Sequence, residues 1–148
     1  MLRTSTGTVK ARVPTIAIAL GLAAATLLSG CYWRRYPKLV ETHLTVLLEF
    51  AAKLQALADD RETVPAERWG EFTYPLERAR DFSRIAARRF ADRRSLASFD
   101  RTVEAYADLV ADPRILERSD AAAEVARRVV ELRTLADQTR ADLARETS

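Results

Sequence analysis

After Gly30 this 148-residue chain contains one glycine, Gly70, in its remaining 118 residues. Tight hairpin turns need backbone angles that glycine supplies cheaply, so a chain with so little of it has few ways to build a sheet. Its β-branched runs are short as well. The apolar residues recur instead at intervals of three and four, the spacing of one face of an α-helix. The fold class that follows is all-α.

Four such stripes can be traced. From Pro37 to about Asp59 the spacing Val40, Leu44, Leu47, Phe50, Leu54 and Leu57 predicts a helix, widened by Leu39, Val46 and Leu48. Pro37 suits its first turn, where no backbone donor is required. A polar connection, Asp59 to Thr63, leads to a second helix opening near Pro65, with Trp69, Phe72, Leu76, Ala79, Phe82, Ala86 and Phe90 on one face. Pro75 lies inside it and predicts a kink, because proline removes one helical hydrogen bond and crowds the preceding turn. A short tie from Asp92 to Ser95 precedes a third stripe of Leu96, Phe99, Val103, Tyr106 and Val110. Asp112-Pro113 ends that helix, and Asp120 is placed to cap a fourth carrying Val125, Val129, Leu132, Ala136 and Leu143 inward. Its outer face offers the pairs Glu124–Arg128 and Arg133–Asp137. Four amphipathic helices on short loops predict a four-helix, up-down-up-down antiparallel bundle over residues 37–148, with its second helix kinked near Pro75.

The first thirty residues are of another kind. Arg3, Lys10 and Arg12 stand without an acidic residue, followed by the apolar run Val13–Leu28 and the small residues Ser29 and Gly30. A positive start, an apolar core and a small-residue end are the layout of a secretory signal peptide. The run is shorter than the roughly 20 residues that span a bilayer comfortably, which disfavours a permanent transmembrane helix.

The segment Leu28-Ser29-Gly30-Cys31 resembles the lipobox of bacterial lipoproteins: an apolar residue, a small residue, Gly or Ala, then Cys. The likeness covers the first 31 residues only. It implies removal of residues 1–30 by cleavage between Gly30 and Cys31, a diacylglycerol on the Cys31 sulfur, and a fatty acyl group such as palmitate on the new amine. The competing reading is a cleaved, unlipidated signal peptide with a stray thiol. In lipoproteins of Gram-negative bacteria an Asp after the lipidated Cys marks inner-membrane retention. Tyr32 stands there, so the resemblance implies a cell-envelope protein on the outer membrane facing the periplasm if the host is Gram-negative. Residues 31–36, with Tyr32, Trp33, Arg34, Arg35 and Tyr36, then form a short membrane-proximal tether whose aromatic and basic side chains suit the headgroup level.

Removal of that segment changes the charge. The whole chain has 24 basic and 21 acidic residues. Without Arg3, Lys10 and Arg12 it has 21 of each, so the basic footprint of a nucleic-acid binder disappears. The remaining 118 residues suffice for one domain without a metal or disulfide.

Chemistry-bearing patterns are scarce. His43 is the sole histidine, Cys31 the sole cysteine, and Met1 the sole methionine, so no cofactor is expected and a His- or Cys-based metal cluster is excluded. His43 lies at the edge of the first stripe and reads as structural or partly exposed, with a pH-sensitive or ligand contact as the sharper alternative. There is no glycine-rich phosphate loop and no nucleophile elbow, so an enzyme is not expected; a carboxylate-based envelope hydrolase is the residual exception. Arg80, Arg84 and Arg88 form a basic ridge on the second helix. It is either a solvated face neutralised by neighbouring acids or a patch for an anionic lipid, cell-wall polymer or acidic protein. Trp69, Phe72 and Tyr74 read as core rather than a ligand cage. The function expected is a membrane-anchored helical interaction or scaffolding module with an envelope protein partner. The alternative is a small-ligand-binding or sensor bundle with a pocket opened around Pro75. Oligomeric state is not legible in these patterns.

Overall fold

The computed structural model describes the backbone from Thr15 and the side chains from Arg35 to Ser148. It contains α1 (Thr15–Asp59), a 3-10 turn (Ala66–Arg68), α2 (Gly70–Phe90), α3 (Arg94–Val110), a second 3-10 turn (Ile115–Glu117) and α4 (Ala121–Thr147). Among the described residues the protein is all-helical, with no strand. Two compact units meet at the boundary between Tyr36 and Pro37. In the first, the described backbone is helical. The second holds the core.

Four expectations are corrected. The first helix does not begin at Pro37 but passes through it. The second does not break at Pro75, which sits buried in regular helix; the irregularity falls at Trp69, where the 3-10 turn gives way to α2. Pro75 is the sixth residue of α2, so it deprives Glu71, in the first turn, of an i+4 donor, and the earlier break lets the chain enter α2 without a bend at the ring. In α4, Asp137 pairs forward with Arg140 at 3.1 Å rather than back to Arg133, while Glu124–Arg128 forms as expected at 2.6 Å. Asp120 occupies the N-cap position, but its side chain makes no capping bond.

The inward faces of α2, α3 and α4 are those the spacing predicts, from Trp69 to Phe90, Leu96 to Val110 and Val125 to Leu143. In α1 the buried positions are Val40, Leu44, Leu47, Ala51, Leu54 and Ala58, alternating by four and three. Ala51 and Ala58 thus take the places expected of Phe50 and Leu57, which are half-buried. Small residues at those points let neighbouring helices approach closely, which the bulkier pair would prevent.

Cross-helix contacts tie the second unit together. His43 stacks on Phe82 at 4.8 Å and meets Phe99 edge-on at 6.2 Å. Phe50 meets Phe72 at 6.1 Å, Lys53 meets Glu71 at 3.5 Å, and Glu41 meets Arg140 at 2.8 Å. Between α2 and α3, Phe82 packs on Phe99, Ser83 donates to Asp100, and Arg80 reaches Glu104.

Both ends of α3 are capped by side chains from other elements. A helix leaves its last carbonyls and first N–H groups without internal partners. At the C-terminal end the Trp69 indole donates to the Val110 carbonyl at 3.0 Å, and Arg128 donates to the Asp108 carbonyl. At the N-terminal end the Ser95 N–H donates to Glu146 Oε1 at 3.0 Å and its hydroxyl to Oε2 at 2.6 Å. The carboxylate also complements the positive end of the helix dipole. Further along the same seam Ser98 donates to Asp142 at 2.6 Å, and the hydroxyls of Thr102 and Thr139 lie 3.2 Å apart. These buried polar residues stand where an all-apolar interface would place leucine. Among the described residues no buried side-chain polar atom lacks a partner.

The chain leaves α1 through a Schellman turn. Glu62 N–H donates to the Leu57 carbonyl at 2.8 Å and Arg61 N–H to that of Ala58 at 3.2 Å. Arg61 holds φ at 56°, the left-handed conformation that favours glycine in this position.

Candidate functional site

The surface that departs most from an inert charged helix is the outer face of α2. The period that turns Phe72, Leu76, Ala79, Phe82 and Ala86 inward turns Tyr74, Arg78, Asp81, Ile85 and Arg88 outward along one stripe. Tyr74 is 62% and Ile85 50% exposed, so two large apolar side chains sit in water among arginines. Tyr74 therefore lies on the surface and not in the core, whereas Trp69 and Phe72 are buried and in contact at 5.3 Å. An aromatic ring, an aliphatic side chain and planar guanidinium groups are the composition of protein contact surfaces.

The expected basic ridge is partly engaged. Arg84 pairs with Asp81 of its own helix at 2.9 Å, and Arg80 with Glu104 of α3 at 3.3 Å. Arg88 is exposed and makes no ion pair among the described residues. Both pairs are solvent-exposed, a class that contributes little to stability and exchanges readily for an external anion. The Arg80 partner could not be assigned from spacing alone, because Glu104 arrives from a different helix.

His43 lies half-buried behind this face. Burial, with the Arg78 guanidinium adding to it, lowers its pKa below the ordinary histidine value. The imidazole is thereby held neutral and serves as a flat ring against Phe82. Tyr106 is buried, its phenol pushed well above the usual range by that burial, and it donates to the Phe72 carbonyl at 2.9 Å. Both groups belong to the core.

The remaining expected positions are distributed as follows. Arg35 is exposed and Tyr36 buried, while the side chains of Cys31, Tyr32, Trp33 and Arg34 lie outside the described residues; their backbone, with that of Gly30, belongs to α1. An open cleft of about 640 Å³ lies between the α1–α2 and α3–α4 connections, lined by Asp59, Arg61, Thr63, Glu117 and Arg118 among others. A second of about 400 Å³ lies in the α2–α3 groove, lined by Thr73, Leu76, Arg80 and Glu104. Pro75 lines neither. Among the described residues no group of three His, Cys, Asp or Glu side chains is placed to hold a metal ion, and no helix is long and apolar enough to cross a membrane.

Ile85 escapes a reading that follows only the inward stripe. Its signal is the reverse one, an aliphatic residue in the polar phase of an otherwise regular helix. Comparison with protein-family models, curated proteins and solved structures finds no match for this chain.

Proposed function

We propose that this chain is a lipid-anchored protein of the bacterial cell envelope whose helical domain acts as an interaction or scaffolding module. The observation that carries the anchor is the sequence Leu28-Ser29-Gly30-Cys31 behind a positive start and an apolar run. In this reading Cys31 becomes the first residue, its sulfur and amine carry acyl chains, and two or three chains hold the protein firmly where one would not. Tyr32 after the cysteine directs it to the outer membrane in a Gram-negative host.

The domain is read as an up-down-up-down antiparallel bundle. Supporting this order, partners of α1 descend along α2 as α1 advances, from His43–Phe82 to Phe50–Phe72 and Lys53–Glu71. The same opposed progression joins α2 to α3, from Phe82–Phe99 to Trp69–Val110, and α3 to α4, from Ser95–Glu146 to Thr102–Thr139. A filled core with satisfied polar groups favours a module that works through its surface. Its partner face is the outer stripe of α2 around Tyr74 and Ile85, with Arg78 and Asp81 between them.

Mass spectrometry of the native N-terminal peptide tests the anchor. The expected result is a peptide beginning at Cys31 with a diacylglyceryl mass on it, and accumulation of uncleaved precursor in Cys31→Ser. An unmodified Cys31 thiol in the mature protein overturns the reading. Cross-linking in intact membranes from a photoreactive residue at position 85 tests the partner face. A discrete product lost in Tyr74→Ser supports it, and labelling by lipid or solvent alone does not.

A further inference from the structure

The domain is formally neutral once residues 1–30 are removed, yet its charges are sorted by end. At one end the α2–α3 turn carries Arg88, Arg89, Arg93 and Arg94 against the single acid Asp92, a formal charge of +3. Ser95–Glu146 brings the end of α4 to this place, where Glu146 pairs with Arg93 and the neighbouring Arg145 offsets its charge in the formal count, and His43 with Phe82 and Phe99 brings the start of the second unit to it. Lys38, exposed one residue beyond Pro37, therefore adds to the same end. At the other end the 59–68 and 111–120 connections share the 640 Å³ cleft. They hold Asp59, Asp60, Glu62, Glu67, Asp112, Glu117 and Asp120 against four arginines, a formal charge of −3.

The basic end is the one at which the chain enters from Cys31. Five residues lie between Cys31 and Pro37, and the six steps they make reach about 20 Å if fully extended and about 9 Å if helical. We infer that the α2–α3 turn with Lys38 is a membrane-docking surface that meets anionic lipid headgroups and holds the domain with its acidic end pointing away from the bilayer. This inference rests on the anchored reading of Cys31 and deepens it: the acyl chains hold the protein at the membrane, and the charge separation orients it there. Lys38, Arg88 and Arg94 are the cations to test, since each is exposed. A juxtamembrane cation contributes about fivefold in affinity for an anionic surface, and the attraction fades as the screening length falls from about 8 Å to about 3 Å between physiological and molar salt.

The test uses the full mature protein purified from membranes. It is mixed with vesicles of phosphatidylcholine alone or with phosphatidylglycerol added, and read by flotation and by hydrogen exchange across residues 86–96. The expected result is flotation on both vesicles, with the turn protected only on phosphatidylglycerol and the protection lost in molar salt. Lys38→Glu with Arg88→Glu and Arg94→Glu should remove that protection while flotation on phosphatidylcholine persists. The corresponding glutamine triple, with unchanged circular dichroism, should weaken it at least about tenfold and so separates lost docking from lost folding. Equal exchange on the two vesicles overturns the docking surface while leaving the anchor intact. Flotation on phosphatidylglycerol alone, abolished by the glutamate triple, overturns the anchor and supports the docking surface. Flotation on neither overturns both.

Discussion

Glu146→Ala removes one carboxylate that serves three groups of the α3 start. Its Oε1 accepts the Ser95 N–H at 3.0 Å, and its Oε2 accepts the Ser95 hydroxyl at 2.6 Å and the Arg93 guanidinium at 3.4 Å. Hydrogen bonds to an ionised group contribute about 1.5–3 kcal/mol, and a buried donor left unpaired costs about 1–3 kcal/mol. Ser95 is fully buried and Glu146 only 16% exposed, so water replaces the carboxylate incompletely. The lost terms overlap, since both concern Ser95, and a destabilisation of about 2–4 kcal/mol follows. A domain of this size commonly has a stability of about 5–15 kcal/mol, so the change is a large fraction of the whole. It should lower Tm by roughly 8–20 °C. Glu146→Gln keeps one oxygen acceptor and should recover about half of the loss. Urea titration of the mature protein followed by far-UV circular dichroism gives the free energy, and amide exchange at Ser95 gives the local effect. The control is Glu71→Ala, which breaks exposed pairs with Lys53 and Arg68 and should leave the midpoint nearly unmoved. If Glu146→Ala unfolds at the same urea concentration as Glu71→Ala, the carboxylate is not capping α3 and the reasoning fails.

Trp69→Phe strips the indole donor from the Val110 carbonyl and shrinks a buried ring, and a loss of about 2–3 kcal/mol is expected by urea titration. Arg61→Gly relieves the left-handed strain at the end of α1 and should stabilise the protein by roughly 0.5–1 kcal/mol, read as a raised urea midpoint; a lowered midpoint refutes it. His43 has a folded pKa below its unfolded value of 6.5, so its contribution is complete above that value and is lost as pH falls toward the folded pKa, because the unfolded chain takes up the proton first. Urea midpoints should therefore fall between about pH 7 and pH 5, and His43→Phe, which keeps a ring against Phe82, should flatten that part of the profile.

The helical core was legible to the extent that large apolar residues marked it. The stripes on α2 and α3 match the buried faces because Phe, Leu, Trp and Tyr stand out from arginine and aspartate. On α1 the eye follows Phe50 and Leu57, while the packing selects Ala51 and Ala58, whose weak hydrophobicity conceals their place in the seam. Ser95, Ser98, Thr102, Thr139 and Asp142 were illegible for a related reason: a polar residue on an inward stripe reads as a phase error until its partner on another helix is known. Pro75 misled because a ring near the start of a helix costs less than one in the middle. The lipobox-like segment needs no fold to be read, since the resemblance is a pattern in the chain itself. The ridge of Arg80, Arg84 and Arg88 was readable as residues and unreadable as electrostatics, because Glu104 belongs to α3.

The hydroxyl–carboxylate ladder between α3 and α4 has a consequence for register. An interface of leucines alone tolerates a slide of one helical turn, about 5.4 Å, because one greasy knob serves as well as another in the next hole. Here such a slide separates Ser98 from Asp142 and Ser95 from Glu146 together, and because the three rungs overlap fully in one register only, it leaves the end rung, buried Ser95 in one direction or buried Thr102 in the other, without its partner on α4. The ladder therefore works as a key with a single fit. It fixes where α4 stops relative to the α2–α3 turn, and so fixes the level at which the arginines of that turn stand.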